Sequence, residues 1–299
     1  MKWCTFLQQD DSEQRVGVLI GDGSISALPR GASLLALLES DELASAGAQA
    51  LEQPAEVVAL GDVTLLPPIP RPPSFRDFMS FEEHLLNSAK AMGVPVPERW
   101  YESPVFYFSN PASFQGPEQS VQRPPGVLAL DFELEVAVVV GRTGRDLTPE
   151  QAVDHIAGYL VLGDWSARDL QRGEIPLTMG PFKSKDFATS VSGFLVTPDE
   201  VDPDRTTRPD LAMTASVNGE LVSSGSLGTV HWSFAEMLAE ASRNTAIHPG
   251  DVVGSGTVST GCLLELGILH DPDRHGYLVP GDRVHLAVDG IGEIDAQIH

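Results

Sequence analysis

The sequence predicts a β-rich α+β fold, with a small N-terminal β-rich unit ahead of a larger mixed-sheet domain. Three observations carry that expectation. Short β-branched apolar runs outnumber helical stretches and do not alternate with them as βαβ units would. Five prolines crowd into Pro67-Pro68-Ile69-Pro70-Arg71-Pro72-Pro73, a stretch that can be neither helix nor central strand and that marks a boundary. The chain of 299 residues is 42% hydrophobic and 20% charged, enough for a sizeable core in one large domain or two unequal ones. Residues 1–66 therefore read as the small unit, 67–73 as a stiff linker and 74–299 as the main domain.

The elements follow in order. Arg15–Ile20 reads as a strand, with Gly21-Asp22-Gly23 as its hairpin turn. Ser33–Ala50 has helical spacing. Ser80-Phe81-Glu82-Glu83 is a capping-box pattern, with Ser80 as N-cap and Gly93 as the stop. Thr148-Pro149-Glu150-Gln151 opens a second helix with proline in its first turn, and Ser233-Phe234-Ala235-Glu236 opens a third. Strands are expected over Val136–Val140, Tyr159–Leu162, Gly193–Val196, Leu211–Val217, Asp251–Val253, Leu263–Leu266 and Arg283–Val288. Asn218-Gly219 is a strong hairpin signal.

Composition excludes several classes. With 19 basic and 42 acidic residues the net charge is −23, which repels nucleic acid and anionic membrane surfaces. Two cysteines, Cys4 and Cys262, make no disulfide framework and have no metal-ligand spacing, so a reducing, cytoplasmic setting is expected. The first residues lack the apolar core of a signal peptide, and no apolar run reaches the roughly 18 residues of a membrane span. There is no glycine-rich phosphate loop, no Gly-x-Ser-x-Gly elbow, no His-Glu-x-x-His helix and no Cys-x-x-Cys pair, so a nucleotide cofactor is not expected.

The richest segment is Leu130-Asp131-Phe132-Glu133-Leu134-Glu135-Val136. On a strand, Asp131, Glu133 and Glu135 share one face and Phe132, Leu134 and Val136 the other. Carboxylates side by side at a core edge repel one another and lose hydration, and a hard cation such as Mg²⁺, Ca²⁺ or Mn²⁺ relieves both costs. A solvated acidic edge is the alternative. Asp164 ends a buried-looking strand and is followed by Arg168 and Gln171, which suit either a polar substrate or a capped helix with a salt bridge. Lys183 and Lys185 stand together in a lysine-poor chain, in an acid-binding loop or a solvated turn. His84 falls in the first turn of its helix, where the partial positive charge favours neutral imidazole, as a base or as a structural residue. Glu265 is an acid within an apolar run and needs a partner if buried.

Six blocks in order resemble the fumarylacetoacetate hydrolase family: Arg76-Asp77-Phe78 with His84, Leu130–Glu135, Asp164–Gln171, Gly180–Lys185, Ser255-Gly256-Thr257 and Leu263–Leu266. The likeness runs from about Ser74 to the C-terminus. It implies a mixed β-roll with a smaller N-terminal domain, and a homodimer. It implies a divalent metal (Mg²⁺, Ca²⁺ or Mn²⁺) held by Asp77, Glu133, Glu135 and Asp164. It implies His84 as general base oriented by Glu265, with Arg168, Gln171 and Lys185 around a developing oxyanion and Thr189 and Thr257 lining the site. Met79 and Ile175 stand where the family's dedicated members carry substrate-facing tyrosines, and Asn110 where many relatives carry lysine. These departures point to a less polar or bulkier acyl group. The implied activity is hydrolysis of a C–C bond in a small β-diketo acid. The rivals are an oxaloacetate-type decarboxylase or tautomerase and a non-catalytic metal-binding scaffold.

Overall fold

The computed structural model describes residues 1–9, 11–269 and 276–299. Its architecture is the expected β-rich α+β fold, organised around a mixed sheet of 13 strands. At its centre Leu134–Val140 lies between Ile156–Asp164 and Val252–Gly254, antiparallel to both. Val252–Gly254 pairs in parallel with Phe75–Phe78, which pairs antiparallel with Phe106–Phe108. In the other direction Ile156–Asp164 leads through Leu195–Val196 to the N-terminal strand Lys2–Gln8. The strands of the first 66 residues thus continue the same sheet, and Val63–Leu66 pairs back onto Lys2–Gln8 before the proline segment.

Strand alternation sorts the central side chains into two cores. Leu134, Val136, Val138 and Val140 face a large core with Tyr159 and Val161. A four-stranded sheet covers that face, built from Ala212–Val217, Glu220–Ser226, Arg283–Val288 and Gly292–Gln297. The approach is close: a Cβ on Gly163 would lie 2.9 Å from Leu286 Cδ1. On the opposite face Ala137 and Val139 join Leu160, Leu162, Val191, Val252 and Phe75 in a second core, covered by the N-terminal helices through Leu34, Leu38 and Ala50. This second face positions the site, because its apolar residues run out at one end into acids.

Several sequence expectations need correction. The helical stretch 33–50 is two helices, Leu34–Glu39 and Leu43–Glu52, broken where Asp41 takes a positive φ of 58°. The helix Glu82–Met92 starts one residue later than expected, with Phe81 at the N-cap position and no side-chain cap. The Ser80 backbone is occupied elsewhere, bonded to Ser255 and His231. Leu263–Leu266 is not a strand but the start of the helix Leu263–Leu269. Asp131 supplies the reason: its carboxylate accepts the backbone N–H groups of Leu263 and Leu264 and satisfies that helix's first turn. The capping boxes at Thr148 and Ser233, the stop at Gly93 and the hairpin at Asn218-Gly219 are present. No helix among the described residues is long and apolar enough to cross a membrane.

Tyr159 links the large core to a polar cap. Its buried hydroxyl donates to Asp202 Oδ2 at 2.9 Å, and the same carboxylate accepts the backbone N–H groups of Thr206 and Thr207. Tyr159→Phe leaves that carboxylate short of one donor, so it is expected to lower unfolding free energy by about 1–2 kcal/mol in a denaturant titration. Catalytic parameters should not change.

Candidate active site

Phe75, Leu160 and Leu162 belong to the second core, and so do Ala137 and Val139. Continuing each strand by period two from these residues gives Asp77, Asp164 and Glu135. The three acids therefore stand on one face of one sheet, at the end where the apolar residues stop. All three are buried, and ligand oxygens from each lie within 4.8 Å of one another. Gly254 sits between them, opposite Asp77 in the register. A Cβ there would lie 2.5 Å from Asp77 Oδ1 and 3.2 Å from Glu135 Oε2, so the missing side chain keeps this space open. Asp77 Oδ1, Glu135 Oε1 and Asp164 Oδ1 are each buried without a hydrogen-bond donor. Buried carboxylate oxygens are rarely left so. Three in one place, all hard donors around an open space, fit a divalent cation of the Mg²⁺ or Mn²⁺ kind.

The other two acids of the richest segment do different work. The strand Leu130–Asp131 leaves the main sheet to pair with Ser166–Ala167, so Asp131 is not in the acid row; besides the helix start it accepts from Arg168 Nε at 2.9 Å. Glu133 stands beside the row with Lys185 Nζ 2.5 Å from one oxygen and Arg168 Nη2 2.8 Å from the other. Lys185 also bonds Asp164 and the Ser166 hydroxyl, so all three of its protons are engaged. Arg168 donates in addition to Gln171 Oε1, which leaves the Gln171 amide NH₂ as a donor. The loop that carries Lys185 is held by Glu174, whose carboxylate accepts from the Phe182 and Ser184 backbone and the Ser184 hydroxyl. Thr189 is the register partner of Asp164, and its buried hydroxyl has no partner. Thr257 is buried next to Gly256, whose N–H bonds Glu135 Oε2. Met79 comes within the same neighbourhood, since its Cα would lie 3.0 Å from a Cβ on Gly256. Ile175 is exposed, in the turn Ile175–Leu177.

A second cluster stands on the helix Glu82–Met92. His84 Nδ1 lies 2.8 Å from Glu265 Oε2. Glu265 also accepts from the Thr260 backbone N–H at 2.9 Å and from the Asn87 amide. The helical Leu263–Leu269 turns Glu265 inward, which a strand reading could not anticipate.

Sequence reasoning missed Tyr107. Its hydroxyl bridges Asp77 Oδ2 at 3.0 Å and Asp164 Oδ2 at 2.7 Å. Phe106-Tyr107-Phe108 reads as an ordinary aromatic strand, and only its pairing with Phe75–Phe78 sets Tyr107 opposite Asp77. Asn87 was also missed, although its spacing of three from His84 puts both on one helix face.

Electrostatics divide the acids. Burial, then the charge of Asp164, pushes Asp77 up to about 8. Burial, then Asp77, pushes Glu135 well above the usual carboxylate range, and burial raises Asp164. Burial acts on Glu133 too, but the charges of Lys185 and Arg168 outweigh it and hold it low. Tyr107 is raised far above an ordinary phenol by burial and by the surrounding acids, so it stays a donor.

The chain belongs to the fumarylacetoacetate hydrolase family: the model of that family's C-terminal domain matches residues 74–299. It is 30% identical over 244 residues to the oxaloacetate tautomerase YisK of Bacillus subtilis, covering 80% of this chain and 74% of that protein. It is equally identical over 244 residues to a fumarylacetoacetase of Arabidopsis thaliana, covering 64% of this chain but only 58% of that longer protein. Its fold matches the fumarylacetoacetate hydrolase of Exiguobacterium antarcticum with a TM-score of 0.78 and 29% identity, covering 100% of this chain and 99% of that one.

Two outcomes follow for metal binding. Gly254→Ala fills the space between Asp77 and Glu135 and should abolish saturable Mn²⁺ binding in calorimetry while the circular dichroism spectrum persists. Metal-induced stabilisation should also depend on pH. Asp77 is raised from 3.8 to about 8, so protonated Asp77 favours the metal-free fold below about pH 4, and that advantage is lost as pH rises through about 8. The Tm difference between Mn²⁺-loaded and EDTA-treated protein should therefore widen from about pH 5 to pH 8; a flat difference would contradict this.

Proposed function

We propose that the protein is a divalent-metal-dependent hydrolase that cleaves a C–C bond in a β-diketo acid of the fumarylacetoacetate or acylpyruvate type. The observation that carries the reading is the pairing of a buried, oxygen-only acid row with a separately held histidine–glutamate pair. Asp77, Glu135 and Asp164 would hold the metal, with Glu133 as a fourth carboxylate. A divalent cation there supplies Lewis-acid polarisation of the diketo oxygens.

The chain's own residues account for the rest of the reaction. With Glu265 Oε2 accepting at Nδ1, His84 would keep its Nε2 lone pair free, as a general base toward water. The Asn87 amide and the Thr260 N–H fix Glu265 and hence the ring. The attacked carbonyl would become an oxyanion, and the Gln171 amide NH₂, left over when Arg168 takes its oxygen, would be a donor for it. Lys185 can serve it only by releasing Glu133, Asp164 or Ser166, so its charge acts mainly by offsetting the surplus of acids. The departing carbon leaves as an enolate and takes up a proton. Met79, whose backbone lies close to Gly256, supports an acyl group without a polar far end. A homodimer in the cytoplasm, acting on a small diketo acid, goes with this reading; light scattering on a sizing column tests the dimer.

A second reading, tautomerisation of oxaloacetate, is favoured by the likeness to the Bacillus tautomerase. The two differ in product: hydrolysis yields two smaller acids, tautomerisation none. EDTA-stripped protein should be incubated with acylpyruvates, fumarylacetoacetate and oxaloacetate, with and without Mg²⁺ or Mn²⁺, and products identified by mass spectrometry. Metal-restored cleavage into two acids is expected; enol–keto interconversion of oxaloacetate with no cleavage of any diketo acid would overturn the hydrolase reading. His84→Ala should lower cleavage about 10²–10⁴-fold while Mn²⁺ binding is retained.

A further inference from the structure

We propose that His84, Cys262 and Glu265 form a second metal site, selective for Zn²⁺, whose occupation disables the enzyme by capturing its base. A ring nitrogen of His84, Cys262 Sγ and a Glu265 oxygen all lie within 4.8 Å of one another, and all three residues are buried. This donor set of nitrogen, sulfur and oxygen differs in kind from the oxygen-only acid row. Thiolate and imidazole favour zinc over Mg²⁺ or Mn²⁺, and three protein ligands with a fourth position open is a common zinc arrangement. A tetrahedral zinc needs its ligand atoms roughly 3.5 Å apart, so small side-chain rotations suffice.

The surroundings hold the ligands in place. Glu265 Oε1 is bonded by Asn87 and Oε2 by the Thr260 N–H, so the carboxylate stays oriented when Oε2 turns from His84 to a metal. Cys262 starts the turn that leads into the helix Leu263–Leu269, whose first N–H groups are fixed by Asp131. On binding, the Cys262 thiol gives up its proton to solvent, and His84 coordinates through a ring lone pair. A nitrogen committed to zinc, or a ring turned from its working position, cannot accept a proton from water. The inhibitory consequence rests on the hydrolase reading; the site itself does not.

Co²⁺ tests the site directly, because tetrahedral cobalt bound by a thiolate shows a near-ultraviolet charge-transfer band. Protein first saturated with Mn²⁺ is given Co²⁺, and then Zn²⁺ is titrated in. The wild type should show the band, lose it stoichiometrically to Zn²⁺, and lose diketo-acid cleavage in step. Cys262→Ser and Cys262→Ala should show no band, retain activity, and need at least about 100-fold more Zn²⁺ for inhibition. The other cysteine, Cys4, is packed with Phe6, Ile25 and Ala27 in a separate cluster and remains in both variants as an internal control. No band in the wild type, or a band that survives in both variants, overturns the proposal. A Cys262-dependent band with cleavage unaffected upholds the site and overturns the role of His84.

Discussion

Carboxylates buried at the end of an apolar sheet face need compensation, and that need organises the centre of this protein. The strands Phe75–Phe78, Leu134–Val140 and Ile156–Asp164 each carry apolar residues into one core and then place an acid where the core stops. Their order in the sheet, with Val252–Gly254 between the first two, brings those acids together whether or not their charges favour it. The chain answers part of the cost with Lys185 and Arg168, and part with the Tyr107 hydroxyl. What remains is an open space over Gly254 edged by unpartnered oxygens. Unpartnered hard oxygens around an open space suit a divalent cation, whereas a set of structural salt bridges would leave none of them unpartnered.

Buried carboxylates perform four separate tasks, and their partners decide which. Asp131 holds a helix start and a guanidinium, and Glu133 answers two basic groups. Glu135 and Asp77 face each other across a glycine, and Glu265 orients a histidine. Burial raises Asp77, Glu135 and Asp164, whereas Glu133, with both Lys185 and Arg168 on it, is held low. His84 stands on its own helix and shares its hydrogen bond with Glu265, outside the acid row.

Much of this was legible in the sequence. Period-two alternation through Leu130–Val140 marked the acids against an apolar face, and six blocks in order carried the family resemblance that named His84, Lys185 and Glu265. Asp131 was misassigned by alternation because the chain leaves the main sheet between Asp131 and Leu134, a change that composition does not signal. Glu265 was set on a strand because Leu263-Leu264-Glu265-Leu266 is apolar in either conformation; the helix forms there because a carboxylate 132 residues away caps it. Tyr107 and the open space over Gly254 arise from strand pairing, which a single sequence does not reveal.

The central claim is that Asp77, Glu135 and Asp164 form a cation site kept partly protonated until the cation arrives. Calorimetric titration of Mn²⁺ into EDTA-stripped protein, repeated in buffers of different ionisation enthalpy near neutral pH, measures both halves at once. The account predicts one saturable tight site whose binding releases protons to the buffer. Saturable binding with no proton release, or no saturable site, would contradict it.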